Sequence, residues 1–259
     1  MRDDCWLKPA TVRTEFKEFF SDTDKQLSTY YEENPNVREE HLEGRLVTLL
    51  ESTPFTLYEN RINRERRKRG LPLLTLKFQH ITNREGGHGA DIGLVANLNL
   101  PGEFVLTKAT LIQSKRLHPN RLTFNEQCDY SELFRQEGNA RPQWDRMLDI
   151  TPSSVYFFYN PDRLSIGRTI KTVRTRVINA QVIKGMAEAG RRSFSVEDSL
   201  DYGKSFSSWL IDDFICCDVG DSRPETVNLA MNGNPDFTVR HAVHVSIERT
   251  DIAPSLFTR

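Results

Sequence analysis

Asp91 and the tripeptide Gln113-Ser114-Lys115 are the residues whose types and spacing could do chemistry, because the chain between them is patterned as one β-hairpin. Asp91 to Leu100 alternates polar or small residues with Ile92, Leu94, Ala96, Leu98 and Leu100, which is strand periodicity. Pro101-Gly102 breaks it, and Lys108 to Lys115 resumes it with Leu111, Gln113 and Lys115 on one face. In a hairpin turning there, opposed positions sum to about 203, which sets Asp91 against residue 112 or 113. A carboxylate, an amide and an ammonium would then meet. A hard divalent cation such as Mg²⁺ or Mn²⁺ wants such oxygen ligands and fills the rest of its shell with water and substrate phosphate. Asp91 would be its anionic ligand, with the Gln113 side-chain oxygen and the Ser114 main-chain carbonyl beside it. Lys115 would orient the attacking water or stabilise charge growing on a phosphate. A polar hairpin with one exposed face is the plain alternative.

Gly89-Ala90-Asp91, the long strand pair and Gln113-Ser114-Lys115 resemble the active-site signature of the restriction-endonuclease-like superfamily, the PD-(D/E)XK phosphodiesterases, in a variant ending QxK. The resemblance covers residues 36 to 160, including a helix around Gln143 to Leu148 and the apolar run Val155 to Tyr159. The chain is also similar to small bacterial families with a GAD…QxKR pattern, some of them nuclease effectors of phage defence. Gly89-Ala90 replaces the first proline of the superfamily name, and Gln113 replaces the usual acid, leaving one negative charge fewer. The resemblance implies a Mg²⁺- or Mn²⁺-dependent endonuclease, with DNA favoured over RNA and a role in anti-phage defence or restriction. The alternative is a catalytically inactive nuclease-fold module serving as a nucleic-acid-binding or assembly subunit.

A single carboxylate would hold such an ion weakly, so a second acid is expected upstream. Val37 to Glu51 is the strongest helical pattern, with Leu42, Leu46, Leu49 and Leu50 on one stripe. Glu39 and Glu43 lie on that stripe, where carboxylates seldom sit without a partner, whereas Glu40 points away. The superfamily often carries a helical glutamate in an ExxLxxxL context, which Glu39 matches. Glu39 is therefore the first candidate, Glu43 the second, and an acid placed there for the helix dipole is the alternative. Glu85, in the glycine-rich stretch Thr82 to Gly89, is the remaining candidate ligand. That stretch lacks the GK[ST] ending of a phosphate-binding loop.

Arg61, Arg64, Arg66, Arg67, Lys68 and Arg69 form the densest basic run and, with Arg116 beside the motif, are the candidate nucleic-acid contacts. With 35 Lys+Arg against 36 Asp+Glu the net charge is −1, so any nucleic-acid surface must be local. His241 and His244, three apart on one strand, cannot share a face as a zinc pair would. The four cysteines lack CxxC spacing, and adjacent Cys216-Cys217 reads as buried thiols. No GxSxG nucleophile element is present.

The order of elements gives an α/β arrangement with a central mixed β-sheet flanked by helices, which the resemblance narrows to a restriction-endonuclease-like core. We expect one domain over residues 1–259, with the core at 36–160, an N-terminal helical extension at 1–35 and a C-terminal elaboration at 161–259. The expected elements are an aromatic helix Thr14 to Glu33, the Glu39 helix, a strand about Leu73 to Ile81, the hairpin, a helix about 130 to 149 and a strand Val155 to Tyr159. Thr169 to Ile183 is ambiguous, Phe206 to Cys217 is an apolar helix, and Ala242 to Ile247 is a late strand. No apolar stretch approaches the ~18 residues of a membrane span, and Met1-Arg2-Asp3-Asp4 begins no signal peptide. A cytoplasmic protein is expected, and the aromatic first helix is a candidate surface for a protein partner or a second copy.

Overall fold

The computed structural model describes residues 6–52, 55–82, 89–120, 123–130, 133–134, 141–216 and 219–250. Three helices, α1 (Ala10–Glu33), α2 (Glu39–Ser52) and α3 (Phe55–Lys68), precede the strands β1 (Leu74–Thr82), β2 (Gly89–Leu100) and β3 (Phe104–Arg116). Helix α4 (Gln143–Ile150) and strand β4 (Val155–Tyr159) follow, then β5 (Arg163–Ile166), β6 (Thr169–Thr172) and β7 (Arg176–Asn179). The chain continues through α5 (Ala180–Glu188), α6 (Val196–Tyr202), β8 (Lys204–Ser205), a helical turn α7 (Phe206–Ser208) that passes into a π-helical segment (Trp209–Ile215), α8 (Pro224–Asn232) and β9 (Thr238–Arg249).

Seven strands form one mixed sheet in the order β1-β9-β2-β3-β4-β7-β8, with β5 and β6 as a separate hairpin. This is the expected α/β class with a central mixed sheet flanked by helices. The late strand β9, from the stretch expected to be an elaboration, lies inside the sheet, antiparallel to β1 and parallel to β2. The expected apolar helix is formed by α7 and the π-helical segment that continues it, and α4 begins only at Gln143, because Pro142 lacks an N–H and restricts its predecessor.

Alternation along the strands builds a core on each face of the sheet. Ile92, Leu94, Ala96, Leu98 and Leu100 pack with Leu42, Leu46, Phe16, Phe19 and Phe20 from α1 and α2. On the other face Val95, Ala109 and Leu111 meet Met147 of α4 and Ala230 of α8, while Tyr156 and Phe158 meet Trp144, Ile183 and Val196. Phe16, Phe19, Phe20 and Tyr31 of α1 are thus buried in the chain's own core, with Tyr30 half-buried against it. Cys128 is a free thiol, whereas Cys216, expected as a buried thiol, is disulfide-bonded.

The β2–β3 turn fixes the register on which the site depends. Pro101 and Gly102 fill the centre of a turn closed by the Glu103 N–H to the Leu100 carbonyl at 2.9 Å, with Gly102 at a φ of +83°. Leu100 pairs with Phe104 and Ile92 with Ile112. One more step therefore sets Asp91 across from Gln113, the second of the two expected registers.

The basic run of α3 lies at the opposite end of this hairpin. Arg66 is fully buried and donates to Pro72 O (2.6 Å), Lys8 O (2.9 Å) and both carboxylate oxygens of Glu103 (2.8 and 2.9 Å). Nine strand steps separate Leu100 from Asp91, on the order of 30 Å. Arg66 is therefore a structural clamp and is not exposed to nucleic acid. Arg66→Ala should lower stability in a urea melt by about 3 kcal/mol, since it strands buried acceptors; an unchanged midpoint would contradict the clamp.

Candidate metal centre

The C-terminal end of β3 and the N-terminal ends of β2 and β9 meet at one rim of the sheet. Helix α2 reaches this rim with Glu39 and Glu43, one turn apart on the same stripe. Glu39, Glu43 and Asp91 each offer an oxygen there, all within 4.8 Å of one another. Both helical glutamates join Asp91, and Glu40 is exposed as its place on the helix requires. Glu85 lies outside the described residues.

Each carboxylate is held by its neighbours. Asp91 Oδ2 accepts from the Ser114 main-chain N–H at 2.8 Å and from the Gln113 side-chain nitrogen. Gln113 Oε1 in turn accepts from Gln143 Nε2, which also donates to Gly89 O at 3.1 Å. The Gln113 oxygen expected to face an ion is thus turned to α4, and its nitrogen steadies Asp91. The Ser114 carbonyl is 3.5 Å from the same nitrogen. Glu39 Oε2 accepts from the Arg116 main-chain N–H at 3.2 Å, and Glu39 Oε1 lies 3.6 Å from Lys115 Nζ. The Arg116 guanidinium is directed to Pro35 O at 3.5 Å, beside the site.

Two participants on β9, Arg240 and His241, had no signal as site residues in the sequence, because the pairing of β9 with β2 is long-range. Arg240 Nη1 donates to Glu43 Oε2 at 2.9 Å and lies 3.6 Å from Asp91 Oδ1. His241 shares a ring-nitrogen contact of 3.0 Å with His80 and sits 3.7 Å from Glu43 Oε2. Burial, then His80 and Arg240, push His241 down to about 4, so it is neutral at pH 7 and its contact with Glu43 is no ion pair. Arg146, one turn after Gln143 on α4, has a buried Nε without a hydrogen bond.

The other basic candidates lie elsewhere. Arg61 pairs with Glu15 (3.5 Å) and Glu18 (3.7 Å), Lys68 pairs with Glu65 (2.6 Å), and Arg64, Arg67 and Arg69 are exposed around α3 and its C-terminal end.

Two facts distinguish the three acids from an ordinary polar patch. Glu43 is fully buried, and its Oε1 has no hydrogen-bond partner. Burial and the neighbouring acids also push the group toward protonation: Glu39 rises to about 7, mainly by desolvation with Asp91 adding and Lys115 opposing. Glu43 rises to about 8, by desolvation and Asp91, with Arg240 opposing. Asp91 is raised too, first by burial. A buried carboxylate cluster of this charge, with an oxygen unsatisfied, suits a hard divalent cation.

A pH dependence follows. Glu39 and Glu43 bind protons more tightly folded than unfolded, so their stabilising protonation is complete below about pH 4.5 and is lost as pH rises through about 7 and 8. Melting temperature in EDTA should therefore fall across that window, and Mn²⁺ should restore it at the alkaline end. A flat profile in EDTA would contradict the burial of these acids.

The fold and rim define an α/β protein with a buried three-carboxylate site beside a lysine. Comparison of the chain with family models, with curated proteins and with solved structures gives no significant match in any of the three.

Proposed function

We propose that the chain is a Mg²⁺- or Mn²⁺-dependent nuclease that hydrolyses phosphodiester bonds, with DNA as the favoured substrate. The observation that carries this reading is the convergence of Glu39, Glu43 and Asp91 within 4.8 Å beside Lys115. Gln113 left the motif one acid short, and Glu43 restores the count from α2. A divalent ion held by these three carboxylates would supply Lewis acidity to a phosphoryl oxygen and acidify water. Lys115 Nζ, 17% exposed on its side chain, faces both the cluster and solvent. From there it orients the attacking water or takes charge from the phosphate. The Gln143-Gln113-Asp91 hydrogen bonds fix the aspartate, and Ser114 N–H holds its second contact. Arg116, whose main-chain N–H donates to Glu39, is the expected phosphate contact beside the cluster, and the restriction-endonuclease-like resemblance of Gly89-Ala90-Asp91…Gln113-Ser114-Lys115 supports the same reaction. A role in phage defence or restriction rests on that resemblance.

A second reading, a nucleic-acid-binding or assembly module without chemistry, is favoured by one observation: the Gln113 nitrogen, not its oxygen, faces Asp91. One experiment separates the two. Purified chain is incubated with plasmid, single-stranded DNA and RNA in Mg²⁺, Mn²⁺ or EDTA. The nuclease reading expects cleavage that EDTA stops; binding of nucleic acid with no cleavage in either metal supports the second reading.

A further inference from the structure

Arg240 is held differently from the buried Arg66. Arg66 reaches acceptors on three different segments and is closed off from solvent. Arg240 instead touches only acids of the candidate centre among the described residues, through one nitrogen, and its side chain is 29% exposed. Parallel pairing of Ala90 with Val239 and of Ile92 with His241 sets Arg240 directly beside Asp91. Its Nη1 lies 2.9 Å from Glu43 Oε2 and 3.6 Å from Asp91 Oδ1, between two of the three carboxylates.

An ion bound to Asp91 Oδ1, the oxygen that Ser114 and Gln113 do not occupy, would stand about 2.1 Å from it. Adding the 3.6 Å contact, it would be at most about 6 Å from Nη1 if the arginine stayed in place. A divalent and a monovalent cation so close in a half-buried site repel strongly, with little solvent to screen them. The exposed side of Arg240 gives it somewhere to go. A guanidinium also has the fork geometry that suits a phosphate better than a lone carboxylate oxygen does.

We infer that Arg240 is the resident counter-cation of the acid cluster, that an entering divalent ion displaces it, and that it then binds a phosphate of the nucleic acid. The inference rests on the reading that Glu39, Glu43 and Asp91 take a divalent ion. It makes ion and substrate cooperative: the ion releases a phosphate ligand, and substrate that captures the released arginine tightens the ion in equal measure. Without nucleic acid, Arg240 keeps ion occupancy low.

The test is a calorimetric titration of Mn²⁺ into the full chain and into Arg240→Gln, without nucleic acid. The variant should bind Mn²⁺ about tenfold more tightly, because the competing charge is gone. A fluorescent DNA duplex titrated with and without Ca²⁺ should gain affinity from the ion in the parent and much less in the variant. If Arg240→Gln does not fold, Mg²⁺ added to the parent should shift the Arg240 Nε–Hε resonance by NMR. Mn²⁺ bound by the parent, and equally or more weakly by a folded Arg240→Gln, overturns the inference and leaves the metal centre standing. An Arg240 resonance indifferent to bound Mg²⁺ does the same. Absence of Mn²⁺ binding in both proteins overturns the metal centre, and the inference with it.

Discussion

Lys115→Ala is expected to slow DNA cleavage by on the order of 10³-fold while the protein stays folded and still binds Mn²⁺. The side chain lies at the rim, 3.6 Å from Glu39 Oε1, and belongs to neither face of the core. Its loss removes a charge where the reaction develops one but removes none of the three carboxylates. Asp91→Ala should differ, losing both Mn²⁺ binding and cleavage, since Asp91 joins β2 to both helical glutamates. The informative readout is the pair: a calorimetric titration and a cleavage time course on each variant. Cleavage by Lys115→Ala at the parental rate would show that the lysine takes no part in the chemistry.

Gly93→Val is expected to abolish folding, or to cost at least about 4 kcal/mol if the chain still folds. Gly93 lies in the middle of β2, and a Cβ placed on it would come 1.9 Å from Ala230 O and 2.9 Å from Ala230 Cα. Those are backbone atoms of α8, which cannot rotate away as a side chain would, so the helix must lift from the sheet. Lifting α8 would also open the contact of Val95 and Leu111 with Ala230. Circular dichroism and a thermal melt check this. A variant that melts near the parental temperature would mean that α8 does not pack over β2 in this way.

The sequence carried the parts of the site that depend on local pattern. The alternation of Ile92 to Leu100, the Pro101-Gly102 turn and the alternation around Gln113 were enough to bring Asp91 and Gln113 together, to within one residue of register. The leucine stripe of α2 nominated Glu39 and Glu43 because both sit on its apolar face, and both arrive at Asp91. What stayed hidden was non-local. Nothing in Thr238 to Arg249 signals that it inserts between β1 and β2, more than a hundred residues away in the chain, so Arg240 and His241 were beyond reach.

Arg66, taken with the basic run as a nucleic-acid contact, shows a related limit. Charge density along the chain says nothing of which end of a strand a helix will cap, and Arg66 turned out to clamp the turn at Glu103. Gln113 shows the same limit at the scale of one side chain. Its place opposite Asp91 was legible, but the hydrogen bond that its amide oxygen accepts from Gln143 on α4 was not. That hydrogen bond crosses from a helix whose start the sequence set too early.

Crystals of the chain grown with Mn²⁺ and measured for anomalous scattering test the central claim most directly. The account predicts a peak at the rim of the sheet, about 2.1 Å from an oxygen of Asp91 and from at least one of Glu39 and Glu43. A fully ordered rim with no anomalous density among those three carboxylates would contradict it.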